Sequence, residues 1–190
     1  LTRGTEKKQL KTKIEIINNN ENTIENVKIE GTFPTKNNEN NMDIQVIEGI
    51  TLEGIEGAKV YYTEKENATT DLQNTENAWQ TEITDSSKVR KYLIEIPSLK
   101  AQEDVKGTYK IEIPELLDYN KDAKQGYSVK YTNSLTKTEE EMKATTIELE
   151  TGIGPKIETK LTPIVGGSEV SNTNTVKNGE VIKYKVEVSN

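Results

Sequence analysis

The sequence contains neither cysteine nor histidine. The first absence removes disulfides, thiolate nucleophiles and the common zinc sites. The second removes the usual general base and the commonest metal ligand. Catalysis would have to rest on carboxylates, lysine or tyrosine, and no Gly-rich phosphate loop or nucleophile elbow is present to organise it. No apolar run approaches the roughly 18 residues of a membrane span. Positive charge is also in deficit: 25 Lys and Arg face 32 Asp and Glu, for a net charge of −7. With no basic stripe to override that balance, phosphate backbones and anionic lipid surfaces are poor partners. Hydrophobic residues make up 32% of the chain and charged residues 30%, a ratio that suits thin sandwich cores better than one thick core. The opening Leu1-Thr2-Arg3-Gly4-Thr5 leads straight into a charged run, and reads as a start inside a longer protein.

What the chain does have is alternation with a period of two. Leu10, Thr12, Ile14 and Ile16 fall on one face and Lys11, Lys13 and Glu15 on the other. The same rhythm recurs at Val27-Ile29-Phe33, Tyr92-Ile94-Ile96, Tyr109-Ile111-Ile113, Tyr127-Val129-Tyr131 and Thr145-Ile147-Leu149. Antiparallel strands with one face in a core and one in water read this way. Polar runs such as Asn18–Asn22 and Lys36–Asn41 supply the turns. Pro34, Pro97 and Pro114 each follow an apolar strand residue and are expected to end pairing there. The expected class is all-β, an immunoglobulin-like antiparallel β-sandwich.

One internal comparison bears on domain organisation. Lys8–Asn18 (KQLKTKIEIIN) aligns with Glu180–Asn190 (EVIKYKVEVSN) at an offset of 172 residues, from Asn18 to Asn190. Lys11/Lys183, Lys13/Lys185, Glu15/Glu187 and Asn18/Asn190 are identical, and the apolar positions agree in character and face. Read as a repeat, the chain holds a sandwich over residues 1–154. Residues 155–190 are then a linker and the opening strands of the next repeat, or strands that complete the first sandwich. Two strands are expected there, Lys156–Thr162 and Val181–Ser189, with the joint in the Gly/Pro stretch Thr151–Pro155.

The segment Asn178-Gly179 through Asn190, with its Gly-x-x-apolar-x-Tyr-x-apolar-x-apolar-x-Asn pattern, resembles a tandem-repeat domain of unknown function. That family occurs in large Gram-positive bacterial surface proteins. Asn26–Pro34 carries the family's second strand, ending in apolar-Pro. Thr12 and Lys7 depart from it, where the family has Tyr and Gly. The likeness covers roughly the first and last 35 residues. It implies an immunoglobulin-like, adhesin-type module at the cell wall, with neighbouring repeats as partners and no mapped catalytic residue.

Each candidate site competes with a blander structural role. Asp118, Asn120 and Asp122 have the 1-3-5 spacing of a calcium loop, but Ala123 stands where the loop needs Gly and Val129 where it needs a bidentate Glu. A polar turn is the competing reading, and no other cofactor is expected. Tyr61, Tyr62 and Trp79 form a candidate ligand face, against a role for Trp79 as a plug at one end of the core. Glu139-Glu140-Glu141 reads as a solvated loop. A Lys–Asn or Lys–Asp amide crosslink needs a lysine in the apolar core, whereas Lys11, Lys13, Lys28, Lys110, Lys130 and Lys183 fall on polar faces. The expected function is a non-catalytic stalk or spacer repeat of an extracellular surface protein. Alternatives are an adhesive module for a host protein or glycan, using Thr35–Arg90, and an accessory domain of a secreted carbohydrate-active enzyme.

Overall fold

The computed structural model describes residues 7–115, 121–144, 146–150, 158–165, 168–169 and 181–189. The chain divides into two compact units, Leu1–Gly152 and Ile153–Asn190. In the first, nine strands follow in order among the described residues: β1 Lys8–Ile17, β2 Ile24–Thr32, β3 Gln45–Glu53, β4 Lys59–Thr63, β5 Lys91–Leu99, β6 Asp104–Ile113, β7 Asp122–Asn133, β8 Glu139–Lys143 and β9 Ile147–Glu150. One sheet runs β1-β6-β3. The other runs β4-β5-β2-β7-β8, and β9 pairs with the start of β7. Every pairing is antiparallel.

This is an immunoglobulin-like order with one exchange. A constant-type domain places its first, second, fourth and fifth strands in one sheet and its third, sixth and seventh in the other. Here β2, β4 and β5 stay together, as do β3 and β6, while β1 and β7 have traded sheets. The expected all-β sandwich is therefore what the chain forms.

The core follows from the alternation. Ile14, Val27, Ile29, Tyr92, Ile94, Ile96, Val105, Tyr109, Ile111 and Ile113 are all buried in one cluster. At its centre Phe33 meets Tyr109 edge-on at 5.0 Å between ring centroids and Tyr92 at 5.1 Å, geometries that aromatic quadrupoles favour. Two glycines make room for the rings. A Cβ on Gly31 would lie 2.1 Å from Tyr92 Cζ, and one on Gly49 would lie 2.7 Å from the Tyr62 hydroxyl.

Several expectations need correction. Pro97 does not end β5, which runs on to Leu99. It sits opposite Asn26, a residue with φ of 51° around which β2 shifts register against β7, and the Asn26–Pro97 pair is skipped in the β2–β5 ladder, so a missing N–H costs little there. Glu139–Glu141 is not a loop but part of strand β8, paired with β7 through Lys130–Glu141 and Tyr131–Glu140. β3 shows weak alternation because two register shifts against β6 break its period. Among the described residues the second unit carries the two expected strands, β10 Glu158–Val165 and β12 Ile182–Ser189, and a short third one, β11 Ser168–Glu169, in the order β11-β10-β12. The two long strands pair with each other, Leu161 opposite Val186 and Pro163 opposite Tyr184. Among the described residues no helix is long and apolar enough to cross a membrane.

Candidate functional site

The chain between β4 and β5, residues 64–90, is a long excursion rather than a turn. Its first half is fastened to the side of the β4-β5-β2 sheet that faces away from the core. Lys91 and Lys28 project from that side. Lys91 Nζ donates to Ala68 O at 2.6 Å and pairs with the Glu30 carboxylate. Lys28 Nζ donates to Thr70 O at 3.2 Å and lies 3.5 Å from Glu95. Leu93, beside Tyr61 and Glu30 in register, is fully buried yet absent from the core cluster, as is Ala68. An apolar residue on the outer side of the sheet is thus shielded by the excursion.

Asn77 organises the excursion internally. It closes a short 3-10 turn, Thr75–Asn77, whose N-cap Asn74 accepts from Glu76 N. The Asn77 amide oxygen accepts from Thr69 N at 3.0 Å, and its nitrogen donates to Asp71 O at 2.7 Å and Thr69 Oγ1 at 3.0 Å. Thr63 Oγ1 donates to the Asn77 carbonyl. Buried polar atoms need such partners, and this one side chain ties the loop at Thr69 and Asp71. At the far end the Ser87 hydroxyl and Lys88 hold the Asp85 carboxyl well below the usual carboxylate range, closing the turn into β5.

The three aromatic residues of the candidate ligand face do not converge. Tyr61 and Tyr62 are neighbours on β4 and so point to opposite sides of the sheet. Tyr62 is buried in the core, where its hydroxyl accepts from Ile50 N at 2.8 Å. Tyr61 and Trp79 are half-buried, and Trp79 Nε1 donates to Thr69 O at 2.9 Å. Trp79 lies outside the core cluster, so it belongs to the excursion and does not plug the sandwich.

Two concavities border this region. A cleft of about 160 Å³ is lined by Tyr62, Thr63, Glu64, Gln80, Glu82 and Val89, below the roughly 300 Å³ at which small-molecule sites begin. A groove of about 460 Å³ is lined by Asn26, Lys28, Thr70, Glu95, Lys130 and Glu139. Its lining is charged and polar, unlike the apolar pockets that bury a ligand.

Asp118 and Asn120 lie outside the described residues. Asp122 opens β7, and its backbone N–H donates to Asn41 Oδ1 at 2.9 Å. Among the described residues no three carboxylates converge on a point. Lys11, Lys13 and Lys183 are exposed; Lys28, Lys110 and Lys130 are half-buried opposite Glu95, Glu48 and Glu141. None of the six enters the core cluster. Lys91, Glu30 and Asn77 were not legible as a set, because the excursion has no periodicity and they are far apart in sequence.

No family model matches the chain, and no curated protein matches its sequence. Among solved structures it is similar to domains D2 and D3 of the major pilin SpaD from Corynebacterium diphtheriae, at 10% identity with a TM-score of 0.38. The match covers 86% of this chain and 51% of that one, so the chain spans about half the length of the pilin fragment. A likeness of that size carries no functional argument.

Proposed function

We propose that the chain is a non-catalytic spacer repeat of a bacterial cell-surface protein, exported and held in line with copies of itself. The observation that carries this reading is the recurrence of β1 as β12: two strands of one chain, 172 positions apart from Asn18 to Asn190, share the run Lys11-x-Lys13-x-Glu15 as Lys183-x-Lys185-x-Glu187. The first unit supplies a continuous core and the second a separate, smaller sheet, as expected of modules strung along a stalk. The test is the parent gene. Several copies near that spacing, an export signal and a wall anchor are expected. A single copy attached to a catalytic domain would overturn the reading in favour of an enzyme accessory module.

The half-exposed Tyr61 and Trp79, together with the charged groove lined by Lys28, Glu95 and Lys130, favour a second reading, an adhesive face for a glycan or host protein. A glycan array and a panel of extracellular-matrix proteins test it. Binding that disappears in Trp79→Ala, with thermal stability kept, is the supporting result; no binding to either panel removes it.

A further inference from the structure

β1 is an edge strand of ten residues, in unbroken register with β6. The direction of its backbone groups is fixed by its neighbours. Asn18 donates to Glu103 O and accepts from Gln102 N, on the β6 side. The Glu15 carbonyl instead accepts from the Tyr127 hydroxyl at 3.1 Å, away from β6. Backbone groups alternate sides along an antiparallel strand, so the N–H and C=O of Lys11, Lys13 and Glu15 face the open edge. Among the described residues no strand pairs there.

The matching strand β12 does have a partner, β10, and their pairing fixes which side of β12 is used. β10 places Pro163 opposite Tyr184. Proline has no N–H to give, so that pair suits the position where the two strands exchange no bonds. The closing pair Val165–Ser168 between β10 and β11 turns the odd-numbered groups of β10 toward β11, which agrees. β10 therefore bonds β12 through Lys183, Lys185 and Glu187. At the repeat offset these are Lys11, Lys13 and Glu15, the residues at the open edge of β1.

We infer that the open edge of β1 is a docking site for a strand of the β10 type, the strand that leads into this one within the repeat, in the order β10-β1-β6-β3. The register carries over: Thr162 lies opposite Lys13, Lys160 opposite Glu15 and Ile164 opposite Lys11. The Tyr127 hydroxyl occupies the place of the Lys160 donor. Lysine commonly guards an edge against pairing, but Lys185 accompanies a paired strand in this chain, where Glu169 and Glu187 lie 3.4 and 3.0 Å from it. Other edges are blunted differently, β4 by the bridge from Tyr62 to Gln80. β3 carries two register shifts, and β8 begins with three glutamates, all exposed. The occupant is an extended segment recognised by main-chain bonds; the inference rests on the repeat reading, though not on any role at the cell surface.

The test is amide hydrogen exchange on the intact chain with a synthetic peptide of residues 156–167 at millimolar concentration. The amides of Lys11, Lys13 and Glu15 are expected to slow by about tenfold or more, while those bonded to β6 stay as they were. A peptide with Thr162→Pro, lacking the N–H that faces Lys13, should give no slowing. To raise the local concentration, residues 156–179 are also grafted ahead of Lys8, which reproduces the spacing within the repeat. If the graft leaves those three amides unprotected, or if protection appears at β8 or β12 instead, the inference fails. Gene copies at the repeat spacing combined with a failed graft would remove the docking site and leave the spacer reading standing.

Discussion

Gly31 and Tyr92 face each other across β2 and β5, and the ring lies over the glycine so closely that no other residue fits. Gly31→Ala would place a methyl carbon 2.1 Å from Tyr92 Cζ. Overpacking of this kind costs about 1–3 kcal/mol, read as a lower urea midpoint. Pairing it with Tyr92→Leu removes the obstacle, so the double variant should lose at least about 1 kcal/mol less than the two single losses combined. Strict additivity would show that the glycine is kept for another reason. A second consequence concerns ionisation. Burial pushes the phenol groups of Tyr62, Tyr92 and Tyr109 up from the ordinary value. Above pH of about 10 the unfolded chain loses those protons while the folded chain keeps them. The associated stability is complete below that pH and declines as pH rises past it. Absorbance of the phenolate band should show these three tyrosines silent until the chain unfolds cooperatively in alkali. Smooth titration of all eight tyrosines near their ordinary value, with the fold intact, would contradict this.

At the scale of elements, legibility tracked periodicity. β5 and β6 could be read directly, since Tyr92, Ile94 and Ile96, like Tyr109, Ile111 and Ile113, keep one face apolar without interruption. β3 could not, because its inward residues Val46 and Ile50 are separated by two register shifts. The Tyr61/Tyr62 pair held a usable signal: adjacent strand residues cannot share a face, so the ligand face was never going to contain both. The excursion of residues 64–90 was opaque, since its order comes from Asn77 and two distant lysines instead of from any pattern. That dependence is testable through the single tryptophan. Asn77→Ala strands Thr69 N and Asp71 O, at a cost of about 1–3 kcal/mol, mostly confined to the excursion. Trp79, bonded to Thr69 O, should shift its emission to the red and become more accessible to iodide. Meanwhile the core aromatic signal in near-ultraviolet circular dichroism should hold. An unchanged Trp79 spectrum would show that the lysine anchors suffice without the asparagine.

The two units differ in what stands behind their hydrogen bonds. In Leu1–Gly152 the strands close over a buried core, and a ladder bond in β2 or β5 breaks by exposing much of it. In Ile153–Asn190 three strands pair, yet Leu161, Tyr184 and Val186 remain 61%, 57% and 63% exposed. A sheet without a covered face is marginal by itself, because the apolar area that should offset chain ordering stays in water. Amide exchange should separate them. Ile29, Ile94 and Ile111 are expected to exchange on the order of a hundredfold or more slower than Lys160, Thr162, Lys183 and Lys185 at neutral pH. Equal protection across both units would mean that the β10-β12 sheet is extended or covered in solution. The repeat register names the first candidate to examine: a strand like β6, on the edge of β12 that β10 leaves open.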